Sequence, residues 1–274
     1  MPAPNTIAPD KLARLIGTPS APVLIDVRDV ATSQRIPGSL IRQKMTVAEW
    51  STGLCDRAVI VIDGDGTEAH GVAAWLRAEG IDAEALEGGM AGWTAAGRPV
   101  IDTTHLPPYG ADGRTTWVTR ARPKVDRIAC PWLIRRFIDP EARFLFVPPA
   151  EVLTVATQMA AEPFDIDAPN VFWSHRGERC TFDIMIEAFG LSAIEPLSHL
   201  ATIVRGADTA RPDLAPEVAG LLAVSLGLSR LHADDLAQLE AGMLIYDALY
   251  RWCRDARGET HDWVSHTVRT KVSS

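Results

Sequence analysis

The chain is poor in cysteine: Cys55, Cys130, Cys180 and Cys253 are its whole complement in 274 residues, and none of them forms a CxxC pair. So sparse a set makes no disulfide framework. A reducing cytoplasm is the expected compartment, and a cysteine outside the core would serve thiol or metal chemistry. The sequence has no uninterrupted apolar run of about 18 residues, so no membrane-spanning helix is expected. Its start, MPAPNTIAPDKLARLIG, lacks the basic opening and apolar core of a signal peptide. No internal repeat appears at periods of about 20–50 residues. Positive charge is in deficit, with 27 Lys and Arg against 35 Asp and Glu, a net charge of −8. Nucleic acid and anionic membranes are therefore not expected partners, unless a local basic cluster runs against the average.

What is present is ordinary folded-protein composition, 47% hydrophobic and 23% charged. The length favours two domains. Residues 1–104 alternate short β-branched runs with helical patterns, which implies an α/β sheet. VLIDV (23–27), AVIVID (58–63) and AEAL (83–86) read as strands buried on both faces. Helices are expected over 9–16, over 67–79 on the spacing of Val72, Ala73, Trp75 and Leu76, and from GGMAGW (88–93) onward. HLPPYGADGRT (105–115) carries two prolines and two glycines without periodicity and is expected to link the halves. Residues 116–274 read as a mainly α-helical domain with a small sheet. Its expected strands are 116–120, 143–147 and 171–175. Its expected helices are 131–138, 150–161, 181–189, 195–205, 215–226, with Pro216 in the first turn, and 234–256, opened by Asp234 and Asp235.

Four landmarks in order, LIDVRD (24–29), RIPGSL (35–40), VIVIDGDGTEAHGVAAWL (59–76) and EGGMAGWTAAGRPV (87–100), resemble the rhodanese-like domain. That resemblance implies an α/β fold and sulfur transfer through a cysteine persulfide cradled by backbone amides. The nucleophilic cysteine is missing: Asp63 stands where the family's active loop begins. A carboxylate cannot carry sulfane sulfur, and Asp65 and Glu68 add negative charge that repels an anionic donor. Cys55, ahead of the strand, is a poor substitute. Sulfurtransferase activity is not expected, and the domain reads as one kept for docking or stability. A divalent cation held by the acidic loop is the sharper alternative.

In RARPKVDRIACPWLIRRFID (120–139), Pro131 is expected to open a helix, which puts Cys130 at its N-cap. A thiol there has a lowered pKa and is a better nucleophile or ligand. The same helix end, with Arg127, Arg135 and Arg136, suits a tetrahedral oxyanion. The plainer reading makes Cys130 core, beside Trp132, Leu133, Phe137 and Ile138, and pairs Arg135 and Arg136 with surface acids. His175 and Cys180 flank a glycine-containing turn before a helix capped by Thr181, compatible with a soft or borderline metal ion, though the spacing is not a standard zinc pattern. Asp183 and Glu187 share a face of that helix. Asp208 falls in a polar loop, and Asp247 pairs with Arg251 at i, i+4. Cys253 reads as core, and His261 and His266, like the other histidines outside this turn, show no convergent spacing.

Five segments, KVDRIACPWLIRRFIDPEARFLFVP (124–148), SHRGERCTFDIMIEAFGL (174–191), IVRGADT (203–209), PEVAGLLAVSLGL (216–228) and EAGMLIYDALYRWC (240–253), resemble the C-terminal domain of the bacterial chromate-resistance proteins. The resemblance implies a role in chromate resistance, as an accessory or regulator beside a membrane chromate transporter. The leading expectation is binding or sensing of chromate or a metal ion by the second domain. Arg127, Arg135 and Arg136 would hold the oxyanion. Cys130, His175, Cys180 and Asp208 would hold a transition-metal ion. A metal- or thiol-dependent oxidoreductase is the alternative, and a DNA-binding regulator the third reading.

Overall fold

A computed structural model describes residues 5–28, 33–54 and 57–259; Cys55, His261, His266 and the end of the second expected domain lie outside them. The first half runs β1 (Thr6–Ile7), α1 (Pro9–Ala13), β2 (Val23–Asp26), β3 (Gln34–Arg35), β4 (Ser39–Ile41), α2 (Val47–Trp50), β5 (Val59–Ile62), α3 (Ala69–Ala78), β6 (Ala83–Leu86), α4 (Gly89–Ala95) and β7 (Ile101–Asp102). Five strands form one parallel sheet in the order β1-β6-β5-β2-β4, and β3 pairs antiparallel with β7. VLID and VIVI are buried at every position. That is why they read as unbroken apolar runs rather than alternating ones.

The two faces of this sheet have different neighbours. Ile25 and Val61 pack with Val72, Ala73 and Leu76 of α3 in a core of the first half alone. Leu24, Ile60 and Ile62 belong instead to a core continuous with Trp132, Phe137 and Tyr250 of the second half. The segment 105–115 therefore joins halves that share one interior. A close approach seals the seam: a Cβ on Gly17, whose φ is +78°, would lie 2.3 Å from the Phe137 ring. Gly38 N–H donates to Phe137 O at 2.7 Å and Asp102 N–H to Phe189 O at 3.1 Å.

The second half runs β8 (Thr116–Arg120), α5 (Asp126–Leu133), β9 (Arg143–Val147), α6 (Val152–Gln158), β10 (Glu162–Pro163), α7 (Thr181–Ala188), α8 (Glu195–Asp208), α9 (Val218–Leu231) and α10 (Asp235–Asp255). Its small sheet, β10-β8-β9, is parallel, and helices make up most of the rest. Four local expectations are corrected. The third strand is β10, not 171–175. Trp173 makes a single bridge to Phe164 and stacks on Phe189 at 4.9 Å, so its aromatic run serves packing rather than a ladder. Helix α5 starts five residues before Pro131, which lies inside it, and a π-helical turn (Ile134–Ile138) follows. Helix α8 continues to Asp208, which is its last residue and not part of a loop, and Pro216 precedes α9.

Candidate metal centre

Asp126 is the first residue of α5, where its charge suits the helix dipole. The residue before it, Val125, has φ +41°, a costly conformation for a β-branched side chain. Three contacts hold the backbone there. Val125 N–H donates to Ser225 Oγ at 3.0 Å, Tyr246 Oη donates to Val125 O at 2.9 Å, and Gln238 Nε2 donates to Pro123 O. The carboxylate of Asp126 is fully buried, and its Oδ2 accepts from the N-terminal amides of α7, Thr181 at 2.6 Å and Phe182 at 3.4 Å. Its Oδ1 is buried with no hydrogen-bond partner.

The turn between Arg176 and Arg179, with Gly177 at φ +61°, delivers His175 to this carboxylate. His175 Nε2 lies 3.1 Å from Asp208 Oδ2, 3.3 Å from Asp165 Oδ1 and 3.5 Å from Asp126 Oδ2. Residues from three regions of the sequence, around 126, 165–175 and 208, thus meet at one imidazole nitrogen. Ligand atoms of Asp126, His175 and Asp208 all fall within 4.8 Å of one another. Asp208 closes α8, where a carboxylate meets the negative end of the dipole and gains only from a nearby cation. Asp165, in a left-handed conformation at φ +50°, has its Oδ2 on Arg120 (3.0 Å) and on Arg127 Nε (3.2 Å).

The electrostatics follow from this crowding. Burial pushes the Asp126 carboxyl well above the carboxylate range, and the charges of Asp208 and Asp165 push the same way against His175. Hydrogen bonds donated to Asp126, then to Asp165 and Asp208, raise the His175 imidazolium up to about 12. Burial opposes ionisation of Asp165, yet His175, Arg120 and Arg127 together hold its carboxyl below the usual range. One Nε2–H can be shared among three carboxylates only poorly. A metal ion would satisfy them better: ligands about 2.1 Å from an ion lie about 3.0–3.4 Å apart in octahedral or tetrahedral arrangements. The separations of His175 Nε2 from Asp208 and Asp126, 3.1 and 3.5 Å, fall close to that range.

Of the residues expected from sequence to hold a metal, His175 and Asp208 are brought together. Cys130 and Cys180 are not among the ligand atoms. Cys130 is the fifth residue of α5, not its N-cap, and is wholly buried in the core. Burial raises its thiol well above the ordinary value, the reverse of the activation a helix N-cap would give. Cys180, rather than Thr181, caps α7. Its N–H donates to Asp183 Oδ2 at 3.0 Å, its Sγ lies 3.3 Å from the same oxygen, and burial pushes its thiol up too. Asp183 also pairs with Arg205 (3.1 Å), and Glu187 with Arg179. Asp126 and Asp165 were not singled out from sequence. With the helix expected to open at Pro131, Asp126 fell outside it and gave no local signal.

The three arginines expected to hold an oxyanion do not converge. Arg127 forms an ion pair with Asp165 and donates to Ala121 O (3.0 Å), while its buried Nε makes no hydrogen bond among the described residues. Arg135 pairs with Glu240 at 2.5 Å. Arg136 makes a bidentate pair with Asp247, both bonds 2.8 Å, and Trp132 Nε1 donates to the same carboxylate. Asp247 therefore pairs across the fold, and Arg251 pairs with Asp255 instead.

In the first half, Asp63 turns its carboxylate into its own loop. Oδ1 accepts from Gly66 N–H (2.6 Å), and Oδ2 from Glu68 N–H (2.6 Å) and Ala69 N–H (2.8 Å). A Cβ on Gly89 would lie 2.4 Å from Oδ1. Asp65 accepts from Thr67 and Glu68 pairs with Lys44, so the acids of this loop do not face a common point.

No helix among the described residues is long and apolar enough to cross a membrane. Residues 8–96 match the family described as rhodanese-like domain. Among solved structures, the chain is similar to a rhodanese-related protein from Thermoplasma volcanium, with 23% identity, 35% of this chain and 96% of that chain covered and a TM-score of 0.32. It is also similar to a thiosulfate sulfurtransferase from Pseudomonas aeruginosa, with 26% identity, 36% and 19% covered and a TM-score of 0.33. Residues 117–253 match the family described as ChrB, C-terminal domain. The protein ChrB of Cupriavidus metallidurans is 36% identical over 135 residues, 49% of this chain and 39% of that relative. With its ChrB domain spanning half of its length behind a rhodanese-like domain, the chain belongs to the ChrB family.

Proposed function

We propose that this chain is a chromate-resistance protein whose C-terminal domain binds a divalent metal ion through Asp126, His175 and Asp208, with Asp165 beside them. The observation that carries the reading is the meeting of three carboxylates at His175 Nε2, at 3.1–3.5 Å. One imidazole with carboxylates suits a borderline or hard ion, Mn²⁺, Fe²⁺ or Zn²⁺, better than a soft one. His175 is 40% exposed, so the ion would keep a side open to water or to an oxyanion ligand such as chromate. A chromate-responsive accessory acting beside transport components fits the family resemblance.

A thiol-based reductase has less support, because Cys130 and Cys180 are buried and their thiols are held protonated. The rhodanese-like half has a structural role in this reading, its anion cradle filled by Asp63 itself. Purified protein is expected to form no thiocyanate above background from thiosulfate and cyanide.

The direct test is calorimetric titration of chelator-treated protein with Mn²⁺ and Zn²⁺. One ion per chain is expected, with affinity reduced about 100-fold or more in His175→Ala, beyond the roughly 10–100-fold typical of losing an outer partner. Equal affinity in wild type and His175→Ala would refute the site.

A further inference from the structure

Arg35 lies in β3, in register with Ile101 of β7, and is only 1% exposed. Its Nε, Nη1 and Nη2 are all buried, and none has a carboxylate partner among the described residues. Neighbouring arginines are treated differently. Arg28 sits 2.7 Å from Asp26, and Arg42 2.7 Å from Glu141. Arginine is the side chain least able to shed its charge, and a buried, unpaired cation is among the costliest features a fold can carry. Such a group calls for a counterpart.

Its cover is one side chain from the segment that joins the two halves. The guanidinium carbon lies 5.7 Å from the ring centroid of Tyr109, which is itself 38% exposed. Burial raises the Tyr109 hydroxyl, while the charge of Arg35 and a hydrogen bond with it pull it down. Asp139 also acts there, but its oxygens are occupied by Thr115 N–H (2.8 Å), Thr115 Oγ1 (2.6 Å) and Glu141 N–H (3.0 Å). Beyond Tyr109 the chain closes a turn, with Gly110 N–H on Arg114 O at 2.9 Å.

We infer that Arg35 anchors a small-oxyanion site beneath the connecting segment, separate from the metal centre. A tetrahedral oxyanion (sulfate, phosphate or chromate) enters as Tyr109 swings aside. It takes the guanidinium fork of Arg35 in bidentate hydrogen bonds. The fork matches oxyanion geometry, and charge-assisted pairs of this kind are the strong ones. The unliganded chain then bears an electrostatic cost that the anion relieves.

The test is thermal unfolding of the full chain, chelator-treated so that metal plays no part. Sulfate, phosphate and chromate are compared with sodium chloride at matched ionic strength. Wild type is expected to melt about 3 °C higher with an effective oxyanion at about ten times its Kd. Arg35→Met keeps the bulk and removes the unpaired charge. It is expected to melt at or above wild type without anion and to lose the response. Tyr109→Ala, at an exposed position, is expected to fold and to keep the response with faster binding. No response to any oxyanion in wild type would overturn the site, as would an equal response to chloride or a response that survives in Arg35→Met. A response that differs among the three oxyanions supports the site and identifies which it prefers.

Discussion

Two buried aspartates, one in each half of the chain, have opposite hydrogen-bond balances. At Asp63 a single carboxylate receives three backbone amides, at 2.6, 2.6 and 2.8 Å, and the loop is closed upon itself. At Asp126 one oxygen accepts from the start of α7, the other has no partner, and two further carboxylates crowd the same histidine. The first arrangement is complete without any ligand. The second holds more negative charge than its protein partners neutralise well. A buried acid thus marks a site by what it leaves unsatisfied, not by burial.

That contrast can be broken by exchanging the two positions in one experiment. Asp126→Asn is expected to lower metal affinity about 100-fold or more by calorimetry, while unfolding of the metal-free protein changes little, since the amide oxygen can still accept from Thr181 N–H. Asp63→Ala is expected to do the reverse. It strands three amides and costs about 3 kcal/mol in urea unfolding, with metal affinity unchanged. Should Asp63→Ala weaken metal binding as much as Asp126→Asn, the two halves would not be separable in this way.

Smaller effects sharpen the same comparison. Arg136→Met leaves buried Asp247 with only Trp132 Nε1 and is expected to cost about 2 kcal/mol in urea unfolding, without altering chromate binding measured by equilibrium dialysis. A loss of chromate binding would return Arg136 to an oxyanion site. Cys130→Ala trims a wholly buried side chain and is expected to cost about 1 kcal/mol, with metal affinity within a few-fold of wild type. A large loss of affinity would put the thiol back among the ligands.

The sequence made the first half legible because its strands are unbroken apolar runs and its helix α3 has clean periodicity. Both are local signals. Helices α7 and α10 were legible for the same reason, and the acidic pair expected to open α10 supplies its cap, Asp234, which accepts Ala237 N–H at 2.7 Å. Helix α5 was not, because Pro131 is a strong start signal at a position where the chain instead tolerates it inside the helix. That displacement moved attention from Asp126, at the true start, to Cys130 in the core. Half of the site was visible: the turn bearing His175 and the polar end of IVRGAD bearing Asp208. Asp165 gave no sign, since it follows a two-residue strand and gains its role only by tertiary contact with Arg120, Arg127 and His175. Convergence of positions 126, 165, 175 and 208 is a property of the packed helices and is encoded in no spacing.

The most direct measurement is anomalous diffraction from crystals of the protein loaded with Mn²⁺ or Zn²⁺, at the absorption edge of the ion. The expected result is one peak about 2.0–2.2 Å from His175 Nε2 and from a carboxylate oxygen of Asp126 and of Asp208, with no sulfur in the coordination sphere. A peak centred on Cys130 or Cys180, or within the Asp63 loop, would contradict it, as would the absence of any peak at saturating metal.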